Sequence, residues 1–188
     1  MKETLRRTMK ERLRATTEEQ RAAWSASILR WLHVDDSWLV PGRAVAFYGG
    51  LKAEPDLWPL VPWLGERGVS AVLFAIEDDA LVPYHIRSRE DIVPGVLGVF
   101  EPKRSREAKM EISDLGTVLV PALAFGRNDG SRLGRGKGYY DRLIAALPHQ
   151  ARAIGVGFDV QFVSDIPCDE HDARMGAMVS EIGWIEVD

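Results

Sequence analysis

The stretch TVLVPALAFGRNDGSRLGRGKGYYDRLIAAL, residues 117–147, reads in three steps. Thr117 to Pro121 is a β-branched apolar run ending at a proline, the pattern of a strand covered on both faces. Tyr139 to Leu147 places Tyr140, Leu143, Ile144 and Leu147 on one side of a helix. Between them lies a long loop carrying Gly130, Gly134, Gly136 and Gly138. A buried strand that feeds a helix is the repeating unit of α/β proteins.

Further units of this kind lie on either side. Residues 43–48 (RAVAFY), 71–76 (AVLFAI), 81–86, 152–158 and 178–182 are short apolar runs that read as strands. Residues 2–14 form a charged helix with Leu5, Met9 and Leu13 on one face. Thr17 and Gln20 have capping-box spacing and open a second helix, along which Trp24, Ile28, Trp31 and Leu32 form a buried stripe. Leu57, Leu60, Val61 and Leu64 suggest a helix with Pro55 in its first turn and its end at Gly68, although Pro59 and Pro62 fit badly inside it. The polar stretch 87–115, with Lys103, Arg104, Arg106 and Lys109, reads as a solvated loop. The expected architecture is a single three-layer α/β domain over residues 1–188, its mostly parallel central sheet flanked by helices.

Bulk properties narrow the function. The 188 residues suit one compact domain, and 46% hydrophobic composition supplies a core. A net charge of −4 argues against a general nucleic-acid binder but permits a local basic pocket. Cys168 is the one cysteine, so neither an internal disulfide nor a cysteine-built zinc site can form. The start, MKETLRRTMKERLR, lacks the apolar region of a secretory signal, and no run of about 18 apolar residues exists. A cytoplasmic protein without membrane attachment is expected.

The chemistry concentrates in the glycine-rich loop. Glycines let backbone N–H groups approach phosphate oxygens, and the N-terminus of the following helix adds partial positive charge. Arg132, Arg135 and Lys137 supply cations for a polyphosphate, and Asp141 stands where a carboxylate could hold Mg²⁺. A Walker A loop does not fit, because Ser131 occupies the place of its first glycine and Gly138 that of its Ser/Thr. A dinucleotide fingerprint fails at Tyr139. The residues alone leave two readings open: a nucleotide cradle of another type, or a mobile Gly/Arg surface loop.

The run GSRLGRGKGYYDR, residues 130–142, resembles the signature of 5-formyltetrahydrofolate cyclo-ligases. KETLR at 2–6, FYGGLKAEPD at 47–56, IPCDEHD at 166–172 and MVSE at 178–181 resemble further family segments in the same order, spanning nearly the whole chain. The resemblance implies an enzyme that converts 5-formyltetrahydrofolate, with or without a polyglutamate tail, to 5,10-methenyltetrahydrofolate. ATP would be consumed, Mg²⁺ required, and ADP and phosphate released. It implies an ATP site made by Lys2, Arg6, Gly130, Arg132, Leu133, Gly134, Arg135, Gly136, Lys137, Gly138, Tyr139 and Tyr140, with Arg132 and Lys137 catalytic. Tyr48, Glu54 and Tyr140 would contact the folate, Glu54 at the pterin ring, and Asp141 and Asp172 would serve the metal. His171 has no partner at metal-ligand spacing and reads as structural. No nucleic-acid or membrane partner is expected, and a monomer is. Two departures stand out: Gly126 replaces an acidic residue usual after the loop's Phe, with Asp129 as its expected substitute, and Ser180 stands where Thr is usual. The competing functions are a relative that turns the same ATP loop on another substrate, and a non-catalytic module that grips nucleotide or RNA phosphates.

Overall fold

The structure is a computed structural model and describes residues 1–95, 98–169 and 172–187. His171 falls outside them. Five strands run parallel: β1 (Ala44–Ala46), β2 (Ala71–Glu77), β6 (Leu115–Val120), β9 (Arg152–Val156) and β11 (Ala177–Val179). Antiparallel edge strands β3 (Ala80–Ile86) and β12 (Trp184–Glu186) complete a seven-stranded sheet in the order β12-β11-β9-β6-β1-β2-β3. All six residues of β6 are buried, as its uninterrupted apolar run requires at the centre of a covered sheet.

Alternation along the strands creates two cores. Val45, Leu73, Leu119 and Ile154 face α1 (Lys2–Arg14), α2 (Glu18–Val34) and α3 (Leu60–Glu66). Ala46, Phe74, Val118 and Val120 face the other way, with Leu143 of α4 (Tyr139–Ala146) packed among them. The result is the expected three-layer α/β architecture. The Thr17–Gln20 capping box forms in both directions, at 3.1 and 2.8 Å. No helix among the described residues is long and apolar enough to cross a membrane.

Several local expectations need correction. The buried stripe of α2 is Ser25, Ile28, Leu29 and Leu32, and Trp24 and Trp31 lie half-buried at its margins. There the Trp31 indole keeps a polar partner, donating to the Glu181 carbonyl at 3.2 Å. Pro59 and Pro62 do not disturb α3, because Pro59 is its N-cap and Pro62 falls in the first turn, where an N–H has no intrahelical acceptor. Pro55 lies outside that helix.

The stretch 87–115 is not simply a solvated loop. It contains the hairpin β4 (Ile92–Pro94) and β5 (Phe100–Pro102), and Tyr84 of β3 bridges to Lys109. The chain after β6 is also more ordered than a plain loop. There β7 (Ala124–Gly126), β8 (Arg132–Leu133) and, from further along, β10 (Phe162–Val163) make a small separate sheet. The cation-bearing loop therefore departs from a hairpin, with Arg132 itself in a strand.

Candidate active site

From β1 the sheet grows one way to β2 and the other way to β6, so the strand order reverses between β1 and β6. A crevice forms beyond the carboxyl ends of strands at such a point. A cavity of about 590 Å³ opens here, lined by Tyr48 and Gly49 just after β1 and by Pro121 and Ala122 just after β6. Folding brings three distant pieces of chain to it: α1 with Lys2 and Arg6, the loop with Glu54, and the segment with Asp172. The run 132–141 lines the cavity without a gap.

Three cations organise it through ion pairs. Arg132, in β8 and only 4% exposed, donates to Asp141 Oδ1 at 2.6 Å. Lys2 donates to Asp172 and Asp169, both at 2.6 Å. Arg135 donates to Glu54 Oε1 at 2.8 Å. Lys137, two residues on, is exposed beside the cavity. Arg6 uses its Nε to hold the Gly134 carbonyl at 3.1 Å, which ties the first helix to the loop. The hydrogen bonds to Asp169 and then Asp172 raise the Lys2 pKa above its usual value. Burial works against the Asp172 carboxylate, but hydrogen bonds from the Asp169 amide and Lys2 outweigh it and hold its pKa below the usual range.

Gly136 and Gly138 have φ of 100° and 67°, a backbone region that side chains rarely tolerate, and Gly138 is the left-handed N-cap of α4. No side chain caps that helix, and the residues of its first turn, Tyr139 to Asp141, line the cavity, where unpaired N–H groups suit an anion. Tyr139 and Tyr140 also line the cavity, with the Arg132 guanidinium 5.8 Å from the Tyr140 ring centre. Arg132 Nε and the Tyr48 hydroxyl are buried polar atoms without a hydrogen-bond partner among the described residues. Buried polar atoms of this kind call for a partner such as water, an ion or a ligand. Burial, and then the charge of Glu54, raises the pKa of both Tyr48 and Tyr140, so each stays a neutral hydroxyl.

Asp141 and Asp172 suit Mg²⁺ in part. Among the described residues, each takes its hydrogen bonds on one oxygen, Oδ1 and Oδ2 respectively. Among the described residues no group of three or more His, Cys, Asp or Glu could form a cage for a metal. Two hard oxygen donors suit Mg²⁺ that arrives with phosphates, since this ion is usually held by one or two carboxylates plus substrate oxygens.

Of the residues expected from sequence, Gly130 alone does not line the cavity. A Cβ there would stand 2.1 Å from the Met175 carbonyl oxygen, so glycine is needed for packing against the C-terminal segment. Asp129 also stands away from the cavity, but its Oδ1 lies 2.4 Å from where a Cβ on Gly126 would be. Together with Ser131 Oγ, 2.1 Å from the same point, it takes the volume a side chain at 126 would need. Ser180 is fully buried at the end of β11, where its Oγ accepts from Ile182 N. One wall was not read from sequence: the apolar Phe74, Ile76 and Leu81 from β2–β3 and Val99 and Phe100 from the β5 hairpin, with the carboxylate of Glu101 beside them. The sequence signal for it is the apolar run that includes Ile92, Val93, Val99 and Phe100, inside a stretch read as polar.

Known proteins resemble the chain over nearly its whole length. The model of the 5-formyltetrahydrofolate cyclo-ligase family matches residues 1–181. The 5-formyltetrahydrofolate cyclo-ligase of Mycolicibacterium smegmatis is 30% identical over 179 residues, covering 93% of this chain and 90% of the relative. That of Escherichia coli K12 is 29% identical over 146 residues, covering 76% and 80%. The Aquifex aeolicus 5,10-methenyltetrahydrofolate synthetase superposes with a TM-score of 0.82 at 28% identity, over 98% of this chain and 92% of that one. A Mycoplasma pneumoniae 5,10-methenyltetrahydrofolate synthetase, 20% identical, shares the fold with a TM-score of 0.75 over 96% and 98%. With a match from the first helix to the last parallel strand, the chain belongs to the 5-formyltetrahydrofolate cyclo-ligase family, a family of enzymes.

Proposed function

We propose that this enzyme, with residues 1–188 acting as one unit, converts 5-formyltetrahydrofolate to 5,10-methenyltetrahydrofolate at the expense of ATP. Mg²⁺ is required, and ADP and phosphate are released. The observation that carries the reading is the gathering, in one cavity at the sheet's switch point, of three cation–carboxylate pairs drawn from the two ends and the middle of the chain.

The chemical problem is a formyl oxygen that leaves poorly. In the proposed reaction this oxygen attacks the terminal phosphorus of ATP and the bond to ADP breaks. N10 then attacks the activated carbon and gives up its proton to solvent, and the carbon–oxygen bond breaks to release phosphate. Arg132 and Lys137, with Lys2, Arg6 and the N-terminus of α4, hold the triphosphate and neutralise charge that builds up during transfer. Asp141 and Asp172 would hold Mg²⁺, which supplies further charge neutralisation across the phosphates. Glu54 would accept from the pterin N–H edge, and the Tyr48 and Tyr140 hydroxyls would orient the ring. The apolar wall would shed water, so that the activated carbon meets N10 before it meets solvent.

The test is direct. Protein incubated with 5-formyltetrahydrofolate, ATP and Mg²⁺ should generate the absorbance of the methenyl product, and omission of either ATP or Mg²⁺ should abolish it. Saturable nucleotide binding without any such product would assign the loop to another substrate.

A further inference from the structure

Glu54 has one buried carboxylate to offer, and two groups compete for it. Its side chain is 5% exposed, while that of Arg135 is 40% exposed. Glu54 Oε2 accepts from Leu51 N at 2.9 Å, which fixes the carboxylate's direction, and Oε1 accepts from Arg135 Nη2 at 2.8 Å. The buried Tyr48 hydroxyl, without a partner among the described residues, lines the same cavity. A carboxylate beside an unused hydroxyl suits a planar ring edge rich in N–H groups. The 2-amino-4-oxo edge of a pterin presents two adjacent N–H donors, the same fork that a guanidinium presents. Arg135 thus occupies the acceptor that this edge needs.

Arg135 also belongs to the loop that would hold phosphate. It sits between Gly134 and Gly136, and Gly136 has a φ of 100°. Such flanks let the side chain be re-aimed at small backbone cost. A triphosphate offers several negative charges where Glu54 offers one. Yet Glu54 is too buried to be left without a donor, because an uncompensated buried charge is strongly unfavourable. Each exchange therefore favours the other: nucleotide draws Arg135 away, and the pterin edge replaces it on the carboxylate.

We infer that Arg135 is a positioning residue that couples the two substrate sites, so that nucleotide and folate bind with positive cooperativity. This rests on the function proposed above.

Calorimetric titration of the full-length protein tests it, using 5-formyltetrahydrofolate and the Mg²⁺ complex of a non-hydrolysable β,γ-methylene ATP analogue. In the wild type the analogue should tighten folate binding by about tenfold, and folate should tighten the analogue by the same factor. Arg135→Gln should bind folate alone more tightly than the wild type does, with the coupling reduced to about twofold or less. Arg135→Lys, which keeps the charge, should restore part of the coupling. In steady state, the folate KM of the wild type should fall as ATP rises, while that of Arg135→Gln should stay flat. Independent binding of the two ligands to the wild type, a result that needs no variant, would overturn the inference and leave the proposed function standing. Full coupling in Arg135→Gln would overturn it as well. Failure of the wild type to bind either ligand would remove the functional reading and the inference together.

Discussion

Arg132 and Lys137, the two cations assigned to phosphoryl transfer, sit in opposite environments. Arg132 is buried in β8 and paired with Asp141, whereas Lys137 is exposed at the loop. Removing Lys137 leaves no buried charge stranded, so Lys137→Ala should lower kcat by about 10²–10³ with an unchanged unfolding temperature. Arg132→Ala should also lose activity, but with about 1–3 kcal/mol of stability, because Asp141 loses a charged hydrogen-bond partner. Parallel activity and thermal-melt measurements separate the two. That contrast was hidden in the sequence, where both residues read alike as cations in a glycine-rich run. Burial depends on β8, and a two-residue strand has too few positions to show alternation.

The hairpin β4–β5 closes one wall of the cavity, and Gly49, just after β1, lies against its backbone. A Cβ on Gly49 would stand 1.9 Å from the Phe100 carbonyl oxygen, a backbone atom that can move only with its strand. Gly49→Ala should therefore push β5 away from the cavity, raise KM for both substrates and cost about 1–3 kcal/mol of stability. Denaturant unfolding and steady-state kinetics on the same preparation would check both effects. Elements of five or more residues were largely legible, as in α1, the capped α2, β2, β6 and α4, because periodicity and capping chemistry act locally. The hairpin, the small sheet and β12 were not, although β1 and β11, equally short, showed in the apolar runs 43–48 and 178–182; short strands are largely specified by what they pair with.

At the scale of the whole molecule, stability and site draw on different faces. Behind the sheet, the His33 ring stacks on Trp63 at 4.7 Å, with Trp63 stacked in turn on Trp38 and the Arg67 guanidinium 3.9 Å from the Trp63 ring centre. Burial, and then the charge of Arg67, lowers the His33 pKa below its usual 6.5. The unfolded chain therefore binds the proton more readily than the folded one, and this contribution to stability is present above about pH 6.5 and lost as pH falls below it. Burial shifts His85 in the same direction, so the wild type should melt at lower temperature as pH drops from 7 to 5. His33→Phe keeps a ring in the stack without a titrating group and should show a smaller loss over the same range, read from thermal melts. None of this touches the cavity. The glycine-and-cation run made the chemistry legible at a distance, but its union with Lys2, Glu54 and Asp172 depends on strand order, a property of the complete sheet.

The central claim is that the cavity passes the terminal phosphoryl group of ATP to the formyl oxygen of the folate. Turnover of 5-formyltetrahydrofolate labelled with ¹⁸O in its formyl group, followed by mass analysis of the released phosphate, tests this most directly. One labelled oxygen is expected in each phosphate molecule. Unlabelled phosphate, with the label recovered in water, would contradict it.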